Sequence, residues 1–371
     1  MEPLLTPPKR HRQAFRSGPI PVTPSLRSLG RKQIEGLCDA LGIAEQKERA
    51  LTTFDVLSNS WADRTADRPA FTSDITDDSS PYEFSVAFDG RVPELRLLAE
   101  AQGSEGTMSD RWNAAWHMSE QLAHTFGASL ARARRVAPIF EPKVNGLTFA
   151  MWHAASLRTT QPKFRIYFNP QAKGRAHAMP SVLAALEALG MAGAAAWLKS
   201  RFAQGEHNPL YFSVDLSDGP TARCKVYLAH PAATSERIDS LISGTGGHEP
   251  GDIRDFCHAM TGNTGPWAKR PPLTCLAFRE GCDLPYTVTL HIPIRCYARN
   301  DEVALERISS QLTSEEAVVY GRAVRGLARR SLDSSSGIQT YASVRREDGR
   351  RRMTIYLSPE AYSAAPRPTG D

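Results

Sequence analysis

Arg223-Cys224-Lys225-Val226-Tyr227 alternates in character residue by residue. In an extended backbone, successive side chains point to opposite faces. The stretch therefore reads as a β-strand with Arg223, Lys225 and Tyr227 on one face and Cys224, Val226 and Leu228 on the other. Two cations and a phenol in a row are costly in a dry core. They suit a face that lines a wet or ligand-filled cavity.

Working outward, the same pattern recurs. Residues 210–216 and the turn Asp218-Gly219 make this strand the second half of a hairpin. Residues 82–88, the turn Asp89-Gly90 and residues 94–100 form another, because Asp-Gly is a strong hairpin signal. Residues 147–157 pair with 164–168, residues 273–278 with 286–294, and residues 338–345 with 353–357 across Asp348-Gly349. Helical periodicity fills the intervals at 25–61, 109–136, 181–203, 234–242, 252–260 and 301–332, the last as two helices. Equivalent second-strand positions are Arg96, Arg165, Lys225, Thr289 and Thr354, spaced by 69, 60, 64 and 65 residues. That regularity marks an internal repeat. Ten antiparallel strands leave exposed edges unless they close. The expected fold is α+β: five αββα repeats forming a closed ten-stranded antiparallel barrel surrounded by helices, apolar strand faces outward and polar faces inward. One barrel domain is expected over 26–362, with a flexible basic tail at 1–25 and a second tail at 363–371.

The 371 residues are 41% hydrophobic and 23% charged, with a net charge of +5, which singles out no partner. Cysteines 38, 224, 257, 275, 282 and 296 contain no C-x-x-C pair and read as free thiols of a reducing compartment. No apolar run approaches the roughly 20 residues of a membrane span. The basic N-terminus has no apolar signal-peptide core. A cytoplasmic protein without membrane or nucleic-acid partners is expected, as a monomer or weak homodimer.

The inward faces of the second strands carry Arg96 and Leu98; Arg165 and Tyr167; Arg223, Lys225 and Tyr227; Thr289 and His291; Thr354 and Tyr356. Guanidinium forks and a lysine ammonium suit phosphate oxygens. Tyrosine faces suit an organic cation. An anion site beside a cation-tolerant wall points to chemistry in which a diphosphate leaves and a carbocation remains. Asp74, Asp77-Asp78 and Asn300-Asp301 lack the D-D-x-x-D spacing that holds magnesium in metal-dependent prenyl transfer. Asp77-Asp78 lies in a polar loop and reads as turn and cap residues. Neither metal nor cofactor is expected, and arginine and lysine take the metal's place.

On residues 74–88, Phe164-Arg165-Ile166-Tyr167-Phe168-Asn169-Pro170, residues 223–230, 286–297 and 353–360, the sequence resembles the bacterial tryptophan (indole) dimethylallyltransferases. These belong to the aromatic prenyltransferase superfamily with the αββα barrel. The resemblance runs from about residue 70 to 362. It implies that Glu83 accepts the indole N–H, that Arg96, Arg165, Arg223 and Lys225 bind the diphosphate, and that Tyr167, Tyr227, Tyr356 and, more weakly, Tyr341 shield the allyl cation. The substrates implied are a prenyl diphosphate and an aromatic, indole-bearing small molecule. Arg165 departs from the lysine of many members. The lysine on the first strand of the second repeat, which helps remove the ring proton in fungal relatives, is absent from Met151-Trp152-His153-Ala154.

On the residues alone, Glu83 sits mid-strand, facing away from Tyr82 and Phe84, where a carboxylate can activate an indole. A buried ion pair with an arginine is its bland alternative. His153 is a candidate proton acceptor and His291 a candidate phosphate ligand. Trp152 reads as core rather than acceptor wall, and the runs at 132–135 and 350–352 as solvated arginines. Two rivals stand beside the prenyl-transfer reading. One keeps the fold with a longer donor or a phenol, quinoline or cyclic dipeptide acceptor. The other is a basic barrel that binds nucleic acid without catalysis, which would place its cations and aromatics on an open face.

Overall fold

The computed structural model describes residues 23–202, 207–267 and 269–362. Five repeats follow one another along the chain, each a helix pair and then a hairpin. Helices α1 (Leu26–Leu41) and α2 (Ala44–Ser58) precede β1 (Tyr82–Phe88) and β2 (Glu94–Glu100). Next come α3 (Met108–Phe126), α4 (Ala131–Phe140), β3 (Met151–Ser156) and β4 (Lys163–Phe168). The third repeat is α5 (Ala178–Ala188), α6 (Ala192–Arg201), β5 (Asn208–Asp215) and β6 (Arg223–Ala229). The fourth is α7 (Ser235–Ile242), α8 (Asp252–Thr261), β7 (Leu273–Arg279) and β8 (Thr287–Ile292). The last is α9 (Asp301–Ser309), α10 (Ser314–Leu327), β9 (Gln339–Glu347) and β10 (Arg350–Leu357).

The helical stretches 25–61, 109–136 and 181–203 are each two helices, where periodicity alone suggested one. Gly42 (φ 68°), Gly127 (φ 69°) and Gly190 (φ 78°) sit at the breaks. Glycine takes this left-handed conformation without a Cβ penalty and so ends the first helix of each pair. Of the tails expected at 1–25 and 363–371, all but residues 23–25 lie outside the described residues. Ser25 is structured: its side chain accepts from the Ser28 N–H and caps α1.

Every strand pairs antiparallel with its sequence neighbours, and β1 also pairs with β10, with Phe84 opposite Leu357 and Val86 opposite Ile355. The barrel is closed, and none of the ten described strands has an unpaired edge. Its outward face is Phe84, Val86, Ile166, Phe168, Phe212, Val214, Val226, Phe278 and Ile355, all buried beneath the helices. Phe140 of α4 stacks on Phe168 and Phe212 at centroid distances of 5.2 and 5.1 Å. Each such side chain contributes roughly 1.5–3 kcal/mol by leaving water, so the helical jacket supplies the stability that a polar barrel interior does not.

The expected Asp348-Gly349 turn is a two-residue hairpin, with φ of 52° and 72° and Arg350 opposite Glu347, so both strands run closer to the turn than the bounds 338–345 and 353–357. Asp89-Gly90 lies, as expected, in the connection of the β1–β2 hairpin, which is five residues long, and Asp89 accepts from both terminal nitrogens of Arg158, at 2.7 and 3.1 Å. Asn300 caps α9 through the Val303 N–H, and Asp301 accepts from Arg330 and from the Ile338 and Gln339 N–H groups. Asp78 accepts from Thr76 and Ser80, as a turn residue does. Among the described residues, no helix is long and apolar enough to cross a membrane.

Candidate active site

The strand pattern that sends Phe84 and Val226 outward sends their neighbours into the barrel. The resulting cavity is lined by Glu83 and Ser85 of β1, Arg96 of β2, Arg165 and Tyr167 of β4, Lys225 and Tyr227 of β6, Thr289 and His291 of β8, Arg345 of β9, and Thr354 and Tyr356 of β10. Lys225 is 7% exposed. An open nucleic-acid-binding face would leave such cations in solvent, so this geometry counts against the binding-module rival.

One end of the cavity is cationic. Arg165 Nε donates to Asp215 Oδ1 at 2.9 Å, and Arg223 Nε to Asp215 Oδ2 at 2.6 Å. Arg96 and Arg352 both donate to Glu94, whose other oxygen accepts from Ser156 Oγ at 2.8 Å. Burial pushes both carboxyls up, but the flanking guanidinium groups outweigh it and hold both well below the usual carboxylate range. Burial, with Arg165 close by, pulls the Lys225 ammonium well below its ordinary value. Arg96, Arg345 and Arg352 each keep a buried Nε–H with no acceptor among the described residues. Donors left unpaired at such a cost are what an oxyanion would satisfy.

Aromatic rings continue the wall. Tyr167 and Tyr227 lie 5.7 Å apart by centroids, with the Tyr227 hydroxyl 3.4 Å from that of Tyr167. Tyr227 leads to His291 at 5.8 Å, His291 to Tyr356 at 5.7 Å, and Tyr356 to Tyr341 at 6.3 Å. His291 Nε2 is 3.1 Å from the Tyr356 hydroxyl. Burial and the Lys225 charge lower the His291 pKa to about 3, so the ring is neutral.

Glu83 lies on the same inner surface, 6% exposed. It has no arginine partner among the described residues. Its Oε1 accepts from Thr340 Oγ1 at 2.7 Å. Burial raises its pKa to about 8, and the Thr340 hydrogen bond opposes the rise. Thr340 reaches Glu83 because the β9–β10 register slips there: Tyr341 opposes Tyr356, but Gln339 opposes Leu357. The extra residue of a bulge re-aims its side chain.

Of the expected site residues, Glu83, Arg96, Arg165, Lys225, Tyr167, Tyr227, His291 and Tyr356 line the cavity. Arg223 shares the face of Lys225, and Tyr341 the face of Tyr356. His153 corrects the expectation. It lies opposite Ile166 and Ala99, on the outward face, where its Nε2 is 2.8 Å from Ser119 Oγ of α3. It is fully buried there, with burial lowering its pKa to about 3. A neutral histidine packed under a helix cannot meet a molecule inside the barrel. Trp152, expected in the core, shares the cavity face with Tyr167 across the sheet and stacks on Phe149 at 4.2 Å, beside Tyr211. Arg352, expected in solvent, is held by Glu94.

Sequence reasoning also passed over Asp215, Glu94, Tyr211, Thr340 and Arg345. The first three lie on inward faces that strand alternation would have given, had first strands and strand ends been listed with second-strand centres. Thr340 carried no such signal, because a bulge is invisible to alternation.

The tryptophan dimethylallyltransferase family model matches residues 40–317. Among solved structures, the chain is similar to 6-dimethylallyltryptophan synthase from Micromonospora olivasterospora in complex with DMASPP and Trp. That match has 29% identity and a TM-score of 0.84 and covers 92% of this chain and 99% of that one. The 5-dimethylallyltryptophan synthase from Streptomyces coelicolor is similar at 27% identity and TM-score 0.84, covering 93% and 100%. PriB in a binary complex with product diphosphate is similar at 28% identity and TM-score 0.83, covering 92% and 98%.

Proposed function

Because this chain belongs to the tryptophan dimethylallyltransferase family, we propose that it transfers a dimethylallyl group from dimethylallyl diphosphate to an indole carbon of tryptophan or a tryptophan-derived molecule. It is an aromatic prenyltransferase. The observation that carries the reading is the enclosed juxtaposition of unpaired guanidinium donors, a tyrosine wall and Glu83 in one cavity.

The diphosphate is bound by Arg96, Arg165, Arg223 and Lys225, and His291 adds a neutral contact. As the C–O bond breaks, its electron pair leaves with the diphosphate, and the growing negative charge is met by these donors. Preorganised donors aimed at developing charge supply a large share of catalysis. The allyl cation lies against Tyr167, Tyr227, Tyr341 and Tyr356, whose ring faces attract it while the closed barrel keeps water from capturing it. The indole carbon attacks, and positive charge spreads to the indole nitrogen. Glu83, once ionised, accepts that N–H and stabilises the charge. Loss of the ring proton then restores the aromatic ring; His153, on the outer face of the barrel, does not take it. Trp152 and Tyr211 form the acceptor's wall.

Arginine and lysine do the work of a metal, so the reaction runs without one. The same single domain, 26–362, carries the whole site, and the protein acts in the cytoplasm, as its thiol-only cysteines suggest. Incubation with dimethylallyl diphosphate and tryptophan, followed by product mass and ring-position assignment, tests the reading. A panel including geranyl diphosphate and cyclic dipeptides tests the rival substrates. Absence of any prenylated indole refutes it.

A further inference from the structure

Asp215 and Glu94 pose a problem for an anion site. Both are buried, at 8% and 5% exposure, and each accepts from an arginine that lines the cavity, Asp215 from Arg165 and Glu94 from Arg96. Asp215 accepts from the Nε of Arg165 and of Arg223 and from the Arg223 backbone N–H, tying β4, β5 and β6 together. Glu94 accepts from Arg96, Arg352 and Ser156, tying β2, β3 and β10. A resident anion held against the arginines of an anion site repels a bound phosphate through a medium far less screening than water. If tight diphosphate binding were all that mattered, an apolar or amide side chain would serve better. Lys225 shows the contrast: among the described residues it has no carboxylate within ion-pair reach.

We propose that Asp215 and Glu94 are positioning residues that set the grip on diphosphate. Before the donor arrives, they hold four mutually repelling guanidinium groups in fixed planes. Asp215 takes the Nε–H of Arg165 and leaves that side chain's terminal nitrogens to point at the ligand. After the C–O bond breaks, the product carries more negative charge than the bound donor did, and the same carboxylates compete with it for the arginines. The site thus binds a prenyl diphosphate yet releases inorganic diphosphate.

The inference rests on the diphosphate reading of the cavity, and one titration separates the two. Full-length wild-type protein is titrated with inorganic diphosphate. If it does not bind, the prenyl-transfer reading itself falls. Given binding, Asp215→Asn and Glu94→Gln each bind inorganic diphosphate about tenfold or more tightly, because each loses an interior like charge. Their kcat falls with KM for the donor unchanged or lower. Rapid-quench kinetics then show a first-turnover burst of prenylated product, because release has become limiting. The double variant Asp215→Asn/Arg223→Gln, which restores the charge balance, returns the affinity toward wild type. Equal or weaker diphosphate binding by the single variants, at an unchanged thermal midpoint, overturns the proposal. If Asp215→Asn does not fold, Glu94→Gln, on different strands, decides alone. If neither folds, the carboxylates are structural braces and the proposal is overturned.

Discussion

Replacing Glu83 with glutamine separates the charge proposed to serve catalysis from the charge that the fold resists. The side chain is buried, its one hydrogen-bond partner among the described residues is Thr340, and its pKa is raised from 4.5 to about 8. At 1.36 kcal/mol per pKa unit, ionising Glu83 in the cavity costs about 5 kcal/mol more than in water. The direction follows from linkage. The unfolded chain releases this proton near 4.5, and the folded chain keeps it until about 8. Between those values the folded state binds more protons, so wild-type stability declines as pH rises through that window. Glu83→Gln has no proton to release and is spared the decline. At pH 5 the two proteins should melt within a degree or two of each other. At pH 9 the variant should melt higher, by about 6 °C at most, taking the unfolding entropy as about 2.1 cal/mol/K per residue over the chain.

Turnover should move the other way. The amide cannot offset the charge that builds on the indole nitrogen. Loss of a charge-assisted hydrogen bond is worth roughly 1.5–3 kcal/mol, or about a 10- to 150-fold drop in kcat, while donor affinity is retained. In wild type, kcat/KM for tryptophan should rise with pH through an apparent pKa near 8, and in the variant this limb should vanish. The assay is thermal melting at pH 5 and pH 9 and turnover from pH 6 to 9.5 on one preparation. A variant that melts lower than wild type at pH 9, or that keeps wild-type turnover, refutes the role given to Glu83.

Lys225→Ala and Arg223→Ala should each weaken donor binding about tenfold or more, read by titration with a non-ionisable donor analogue; unchanged affinity in folded protein would mean that this face does not meet the diphosphate. Thr340→Val removes the hydrogen bond that opposes the Glu83 shift, so the acidic limb of the pH–rate profile should move to higher pH, and an unmoved limb would detach Thr340 from catalysis. Exhaustive chelation with EDTA should leave turnover intact, and full loss restored only by Mg²⁺ would restore the metal mechanism. His153→Asn should lower the thermal midpoint yet leave turnover per folded molecule within about twofold, since the ring faces α3; a large loss of kcat at wild-type stability would return it to the site.

Alternation along Arg223–Ala229 was legible because a strand has a period of two, and a face bearing Arg223, Lys225 and Tyr227 can only be a wet one. The spacing of Arg96, Arg165, Lys225, Thr289 and Thr354 made the repeat legible, and the need to pair strand edges made it a barrel. Local periodicity and edge satisfaction are properties of the chain itself, so the architecture and most of the cavity residues could be written down from it. Other features were not local. His153 and Trp152 are neighbours in one strand, and which of them faced the cavity depended on whether Tyr167 or Ile166 lay across from each. The bulge that brings Thr340 to Glu83 is a slip between two strands, with no mark in either alone. Asp215 and Glu94 read in sequence as ordinary strand-end carboxylates. Pairing of β4, β5 and β6 set Asp215 between Arg165 and Arg223, and closure of β1 onto β10 brought Arg352 to Glu94 beside Arg96, so that arginines drawn from four strands surround the two carboxylates; Coulomb interactions depend on distance in space and not on distance along the chain.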